Sequence, residues 1–181
     1  LDLSRIDPDF EPDGKPRVMF LHGTTWATKH WPEHYWRHLA HIATGAGYEV
    51  LIPWGDPEEK RRADFIAAGL DQSTVLDKLN LTGLAQQLNR CTGVVAVDTG
   101  LGHLAAALAK PTLSLYGPTD PGLSGTCGAQ QLHLNSDLNC SPCVKKVCGY
   151  TGPGVTDKFQ DHSFPVVPPC FSSNKPEQVW N

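Results

Sequence analysis

Five short runs of nearly continuous apolar residues, each followed by a stretch with helical spacing, limit the folds open to this chain. A strand that is apolar on both faces must be covered on both faces, and helices between such strands are typical of a parallel sheet. The sequence therefore predicts an α/β fold with a doubly wound parallel sheet, similar to a Rossmann fold. The runs are residues 17–21, 48–54, 73–77, 93–97 and 111–116, with a candidate sixth strand at 130–135.

The same pattern predicts the organisation of the chain. Residues 1–16 contain the polar, proline-rich stretch "DPDFEPDGKP" and are predicted to be an interdomain linker. Residues 17–136 carry the alternating pattern and form the predicted domain. Residues 137–181 are predicted to be a cysteine-rich irregular segment that ends at the start of a truncated helix. We expect the chain to be a piece of a longer protein, cut at both ends.

Composition excludes several classes of protein. The chain of 181 residues has a formal net charge of -4 and is 40% hydrophobic, values typical of an ordinary globular domain. It has no basic tract that would follow a phosphate backbone, so we expect no nucleic-acid partner. Its longest apolar runs are far shorter than a membrane span.

The stretch "VVAVDTGLGHLAAAL" (94–108) runs from a predicted strand through a glycine turn into a helix. Such a turn leaves backbone N–H groups unpaired at the positive end of a helix dipole, which favours a bound anion. Gly100 allows close backbone approach, Thr99 adds a hydroxyl, and His103 lies off the apolar face. Two simpler interpretations stay open: Asp98 as a helix N-cap, and His103 as a capping or surface residue.

Two further loops follow predicted strands. Thr24 and Thr25 come directly after the first strand, and Lys29 follows them closely. Because ligands bind at the carboxyl ends of parallel strands, this loop and the 98–103 turn together favour a diphosphate site. Glu58 and Glu59 follow the second strand, where a carboxylate could accept hydrogen bonds from a ribose diol. Their other interpretation is first-turn glutamates that complement the helix dipole.

Two motifs raise the possibility of other kinds of site, a dinucleotide-binding site and a metal site. "GLGHLA" (100–105) matches a dinucleotide fingerprint, with Asp120 downstream, but Asp98 would put a carboxylate beside the pyrophosphate. His30, His34 and His38 recur every four residues, which is more typical of a solvated helix face than of a metal site.

Four cysteines form a third motif. Cys140, Cys143 and Cys148 give C-x2-C-x4-C, and Cys170 is a distant fourth thiol. A structural zinc site, free thiols and a redox-labile cluster all remain open. The six cysteines of the chain are too few and too uneven for a disulfide scaffold, which favours a reducing compartment.

Four stretches together resemble a known family. "FLHGTTWATKHWPEHYWRHL", "LIPWGDPEE", "VVAVDTGLGHLAAAL" and "LYGPTDPG" are similar to the carboxyl-terminal half of the heptosyltransferase I enzymes of glycosyltransferase family 9. The likeness runs from about residue 17 to 123. Where members of the family often carry charged residues in the first loop, this chain has Trp26 and Ala27, so its sugar specificity could differ.

The resemblance implies a GT-B glycosyltransferase in which this chain is the donor-binding half. The implied donor is ADP-L-glycero-D-manno-heptose, and the implied acceptor is a Kdo sugar of the lipid A-linked core, reached through an amino-terminal domain. The implied location is cytoplasmic, at the inner face of the inner membrane, with peripheral membrane association of the full-length protein. No cofactor is expected, and no metal is expected at the donor site.

The residues that the resemblance assigns to the donor all follow strand ends. Thr24, Thr25 and Lys29 are implied for the diphosphate and sugar, Glu59 for the ribose, the backbone around Leu79 for the adenine, and Asp98, Thr99, Gly100 and His103 for the phosphates and the heptose hydroxyls.

The implied reaction is an inverting displacement at the anomeric carbon. Lys29 and the 99–103 helix terminus would stabilise the leaving ADP in place of a bound metal. The general base is implied to lie in the amino-terminal domain, outside this chain. Two other functions remain open: a sugar-nucleotide-binding module without catalysis, and a nicotinamide-dependent oxidoreductase domain.

Overall fold

The computed structural model describes residues 14–181, and a six-stranded parallel sheet forms its centre. The strands lie in the order β3-β2-β1-β4-β5-β6, and every neighbouring pair in this sheet is parallel. Their bounds are β1 (Arg17–Leu21), β2 (Glu49–Ile52), β3 (Ser73–Val75), β4 (Gly93–Val97), β5 (Thr112–Tyr116) and β6 (Gln131–Asn135). The predicted α/β fold and the candidate sixth strand are confirmed, whereas the predicted linker lies mostly outside the described residues.

The apolar runs arise because the sheet is covered on both faces. Val18 and Phe20 of β1 belong to one hydrophobic cluster, while Met19 and Leu21, whose side chains point the opposite way, belong to the other. Four helices follow the strands. They are α1 (Glu33–Gly45), α2 (Pro57–Ala67), α3 (Leu81–Asn89) and α4 (Gly100–Ala107).

The cysteine-rich part of the chain is more regular than its sequence predicts. Within residues 137–181 the structure has an antiparallel hairpin and a short terminal helix, so the expectation of an irregular segment needs correction. Phe164, Phe171 and Val179 pack into the same core cluster as Val18 and Phe20 of β1. The elements are β7 (Thr156–Phe159), β8 (His162–Pro165), a 3-10 turn (Pro169–Phe171) and α6 (Pro176–Trp180), preceded by the four-residue α5 (Pro121–Ser124).

His34 and His38 lie on α1 and are covered by this hairpin, whereas His30 precedes the helix. The ring of His34 stacks on Phe164 at 4.4 Å, and that of His38 stacks on Phe159 at 4.2 Å, both measured between centroids. The prediction of a solvated helix face was therefore wrong. The four-residue spacing correctly puts His34 and His38 on one face of the helix. The aromatic residues that cover this face come from a distant segment, which the local pattern does not reveal.

The direction of strand progression reverses between β1 and β4, which are neighbours in the sheet although β2 and β3 come between them in sequence. Leu21 pairs with Ala96, so the chain leaves both strands side by side, toward Gly23 and Asp98. Such a reversal opens a crevice at the carboxyl ends of the strands. No helix among residues 14–181 is both long and apolar enough to cross a membrane.

Candidate functional site

A cavity of about 360 Å³ lies where the strand order reverses. Its walls come from the loop after β1, the start of α2 and the first turn of α4. The residues that line it are Gly23, Thr24, Thr25, Lys29, Asp56, Glu59, Asp98, Thr99, Gly100, Leu101 and His103. We call it the polar cavity.

An ion pair joins two walls of the polar cavity. Lys29 Nζ lies 2.8 Å from Asp98 Oδ2, and the side chains are only 17% and 8% exposed. Thr119 Oγ1 also donates to Asp98 Oδ2, at 2.6 Å. Asp98 is therefore not a helix N-cap: Thr99 takes that position, and the Asp98 carboxylate is directed to Lys29 instead.

The loop after β1 is tied to the same turn. Thr24 Oγ1 donates to the backbone oxygen of Asp98 at 3.2 Å, so its hydroxyl holds the two loops together. Thr25 is more exposed than Thr24 and lines the cavity. The ring of Trp26 lies 4.5 Å from Lys29 Nζ, so this aromatic residue of the first loop contacts the lysine.

The first turn of α4 forms the opposite wall. Thr99 makes no side-chain capping hydrogen bond. Gly100 is exposed, and a Cβ there would have no atom within 4 Å. His103 is exposed and lines the cavity from the same turn, off the buried face that contains Ala105. This geometry favours an anion, because the positive end of the helix dipole lies at this wall.

A second cavity, of about 210 Å³, adjoins the first. The two share Gly23, Glu59 and Leu101 as lining residues. Most of its other walls are apolar or aromatic, and we call it the apolar cavity. Its lining is completed by Leu21, His22, Pro53, Trp54, Gly55, Asp77, Leu79, Asn80, Leu81 and Leu84.

Glu59 lies at the junction of the two cavities. Its Oε2 accepts a hydrogen bond from the Gly55 backbone N–H at 2.7 Å. A Cβ at Gly23 would overlap the Glu59 carboxylate, so a larger residue there would displace that carboxylate. Glu58 is placed differently: it is exposed and pairs with Arg61 at 2.9 Å.

Sequence reasoning missed two residues of the apolar cavity. Trp54 lines it, and its Nε1 donates to the Leu76 backbone oxygen at 2.7 Å, which fixes the indole. His22 is buried, and burial lowers its pKa to about 4, with the nearby charge of Arg62 acting in the same direction. Its ring is therefore neutral near pH 7. An aromatic residue directly after an apolar strand was the signal that could have identified Trp54.

All nine residues predicted for the donor border these two adjoining cavities. Eight line the polar cavity, Leu79 lines the apolar one, and Glu59 lines both. Asp120, the acidic residue of the candidate dinucleotide fingerprint, borders neither and instead caps α5 by accepting from the Gly122 N–H at 2.8 Å. A larger cavity of about 510 Å³ lies at the amino-terminal ends of the strands, and no charged side chain among the described residues lines it.

Comparison with known sequences identifies the family. Residues 2–152 match the family model of glycosyltransferase family 9 (heptosyltransferase). The chain is 50% identical over 171 residues to lipopolysaccharide heptosyltransferase 1 of Pseudomonas aeruginosa, covering 94% of this chain and 48% of that protein. It is 46% identical over 120 residues to the Escherichia coli K12 enzyme of the same name, covering 66% of this chain and 38% of that protein. The chain thus spans less than half the length of these curated relatives.

Solved structures agree with the sequence comparison. E. coli heptosyltransferase WaaC with ADP superposes with a TM-score of 0.66 at 43% identity, covering 72% of this chain and 40% of that one. WaaC with ADP-2-deoxy-2-fluoro heptose gives 0.64 at 40% identity, covering 74% and 40%. The family match, the relatives and the superpositions lead to one conclusion: this chain belongs to glycosyltransferase family 9, the heptosyltransferase family.

Proposed function

We propose that this chain is the donor-binding half of an inverting glycosyltransferase. The enzyme would move heptose from ADP-L-glycero-D-manno-heptose to Kdo in the lipopolysaccharide inner core. The observation that carries the proposal is the pair of adjoining cavities, one apolar and one polar, at the carboxyl ends of β1, β2 and β4. A nucleotide sugar has the same two halves, a flat nucleoside and an anionic diphosphate sugar.

The nucleoside occupies the apolar cavity in this proposal. The Trp54 indole offers a ring face for the adenine, and the backbone near Leu79 offers hydrogen bonds to its edge. The Glu59 carboxylate at the junction accepts hydrogen bonds from the ribose diol. ADP and an ADP-heptose analogue are bound in the two WaaC structures, which supports this class of ligand.

The diphosphate lies against the first turn of α4 and Lys29. An ammonium group has three N–H donors, and the ion pair with Asp98 uses one of them, so Lys29 can hold Asp98 and still donate to phosphate. As the anomeric bond breaks, negative charge grows on the leaving ADP, and Lys29 and the helix terminus stabilise it. His103 and Asp98 are then placed for the sugar hydroxyls or phosphate oxygens.

The remaining machinery lies outside this chain. We propose that the acidic general base and the acceptor site belong to an amino-terminal domain. The isolated chain then binds the donor and transfers nothing. We further propose that the full-length protein works at the cytoplasmic face of the inner membrane, where it would meet a lipid A-linked acceptor.

Titration calorimetry with ADP, ADP-heptose and NADH tests the proposal. We expect ADP and ADP-heptose to bind and NADH to give no heat above dilution. Lys29→Ala is expected to weaken ADP binding at least tenfold, about 1.4 kcal/mol or more. Lys158→Ala, an exposed lysine on the hairpin, is the matched control and should bind as the parent does. Binding of NADH in preference to ADP, or an unchanged affinity in Lys29→Ala, would overturn the proposal.

A transfer assay separates the enzyme from a binding module without catalysis. The whole protein is incubated with ADP-heptose and a Kdo-terminated acceptor, and ADP release is followed. Donor binding without any ADP release by the whole protein would favour the module and refute the glycosyltransferase.

A further inference from the structure

Three cysteines close together in sequence and a distant fourth border one small cavity behind the first loop. Cys140, Cys143, Cys148 and Cys170 all line a space of about 20 Å³. The first three belong to a stretch without helix or strand, and Cys170 lies in the 3-10 turn before α6. The chain's two other cysteines, Cys91 and Cys127, line no part of it.

The four cysteines are free, and a metal ion would bind them as thiolates. Thiolates so close together repel one another unless a cation lies between them. A bound metal ion removes that repulsion, and its binding releases the thiol protons to solvent.

The four cysteines share a cavity, but their side chains are not arranged as a complete set of metal ligands. Among the described residues, no group of three or more His, Cys, Asp or Glu side chains forms a ready-made metal site. Cys140 and Cys148 are exposed, Cys143 is half-buried and Cys170 is buried. An ion bound by all four thiols would draw the exposed stretch inward onto Cys170, and the cavity of about 20 Å³ between them is small enough for one ion.

We propose that Cys140, Cys143, Cys148 and Cys170 bind one structural Zn²⁺ ion through four thiolates. Four sulfur ligands with one C-x2-C pair suit tetrahedral Zn²⁺, which has no open coordination position in such a site. The ion gives order to a stretch that has no helix or strand to hold it. The proposal does not depend on the proposed transfer reaction, because its tests measure metal content.

The stretch that the ion would fix is bonded to the wall of the polar cavity. Thr28 Oγ1 donates to the Lys145 backbone oxygen at 2.6 Å, and Thr28 directly precedes Lys29. The Val144 N–H donates to the Pro118 oxygen at 2.8 Å, and Ser141 Oγ donates to the Gly117 oxygen. The zinc site thus joins the loop after β1, the loop after β5 and the carboxyl-terminal turn.

Elemental analysis of the whole protein, purified without chelator, is the first test. We expect about one zinc per chain, tetrahedrally bound. Cys143→Ser and Cys148→Ser should each lose most of the zinc, whereas Cys127→Ser, an exposed cysteine away from the cavity, should keep it. Circular dichroism of each variant shows whether the fold survives the change.

The parent protein by itself can refute the proposal, whether or not the variants fold. Iron in place of zinc, or substoichiometric metal after reconstitution with Zn²⁺, would overturn it. Mapping of disulfides among the four cysteines in freshly purified protein would also overturn it. Reconstitution with Co²⁺ gives a second measurement: tetrahedral thiolate ligation produces strong charge-transfer absorption, and Cys143→Ser should lose it while Cys127→Ser retains it.

Discussion

Lys29 Nζ and Asp98 Oδ2 lie 2.8 Å apart, bridging two loops that leave neighbouring strands. The pair is largely shielded from solvent and lines the cavity proposed for the diphosphate. A carboxylate beside a diphosphate would by itself repel it. The ion pair explains how the site tolerates Asp98: the lysine neutralises the carboxylate, and the carboxylate fixes the lysine.

Breaking this pair should cost stability in a non-additive way. Lys29→Met leaves Asp98 unpaired, and Asp98→Asn leaves Lys29 unpaired, so each should lower the free energy of unfolding by roughly 1–3 kcal/mol. The double variant should lose less than the sum of the two. Urea denaturation of the four proteins measures the coupling. Additive losses would show that the pair is not an energetic unit.

Gly23→Ala should weaken donor binding through Glu59. The new Cβ would overlap the Glu59 carboxylate, which must then leave the junction of the two cavities. Because the displaced group is the end of a flexible side chain, we expect little change in stability. ADP affinity should fall roughly tenfold, about 1.4 kcal/mol. Calorimetry measures the affinity, and thermal unfolding measures the stability.

The matched control for that change is Gly45→Ala. Gly45 ends α1, away from both cavities, and a Cβ there meets no atom within 4 Å. It should leave ADP binding unchanged. If Gly23→Ala also bound ADP as the parent does, Glu59 would have no part in holding the ribose.

Gly100→Ala, at the start of α4, should change ADP affinity without lowering stability. A Cβ at Gly100 has open space in the ligand-free protein, so the unfolding temperature should stay the same or rise slightly. If the diphosphate approaches this backbone closely, the methyl group should reduce ADP affinity by roughly tenfold. Parallel melting and binding curves test this. Undiminished ADP affinity would argue against close approach at this turn.

Acidification should destabilise the protein through His22. Its pKa is about 4 in the native protein against 6.5 as its ordinary value. Between these values the unfolded chain binds the proton and the native protein does not, so unfolding becomes easier as pH falls. The stabilisation is complete above pH 6.5 and is lost as pH falls toward 4, by up to about 3 kcal/mol for this group.

Denaturation at a series of pH values measures that loss. Burial also lowers the pKa of His30, His34 and His41, so these residues add to the slope in the same direction. His22→Gln should show a shallower fall in stability than the parent between pH 6.5 and 4. Equal slopes in the two proteins would place the effect on the other histidines.

The aromatic contacts of α1 show a property that local sequence patterns could not predict, namely whether a helix face is exposed to solvent. The four-residue spacing of His34 and His38 correctly puts both on one face of the helix. It cannot tell whether that face meets water, because the answer depends on Phe159 and Phe164 in a hairpin far along the chain. The cysteine motif is limited in the same way. C-x2-C-x4-C identifies three neighbouring thiols, but only the tertiary structure shows that Cys170 lies beside them.

The sequence by itself determined the parallel sheet and the edge at which the site would lie. Apolar runs and helical spacing are local properties, and parallel strands always bring their carboxyl ends to one edge. Only the tertiary structure decided which loops meet there. Strand order depends on contacts between residues far apart in sequence. It puts β1 beside β4, and the loops after these strands then pair Lys29 with Asp98. It also places Trp54 in the wall of the adjoining cavity.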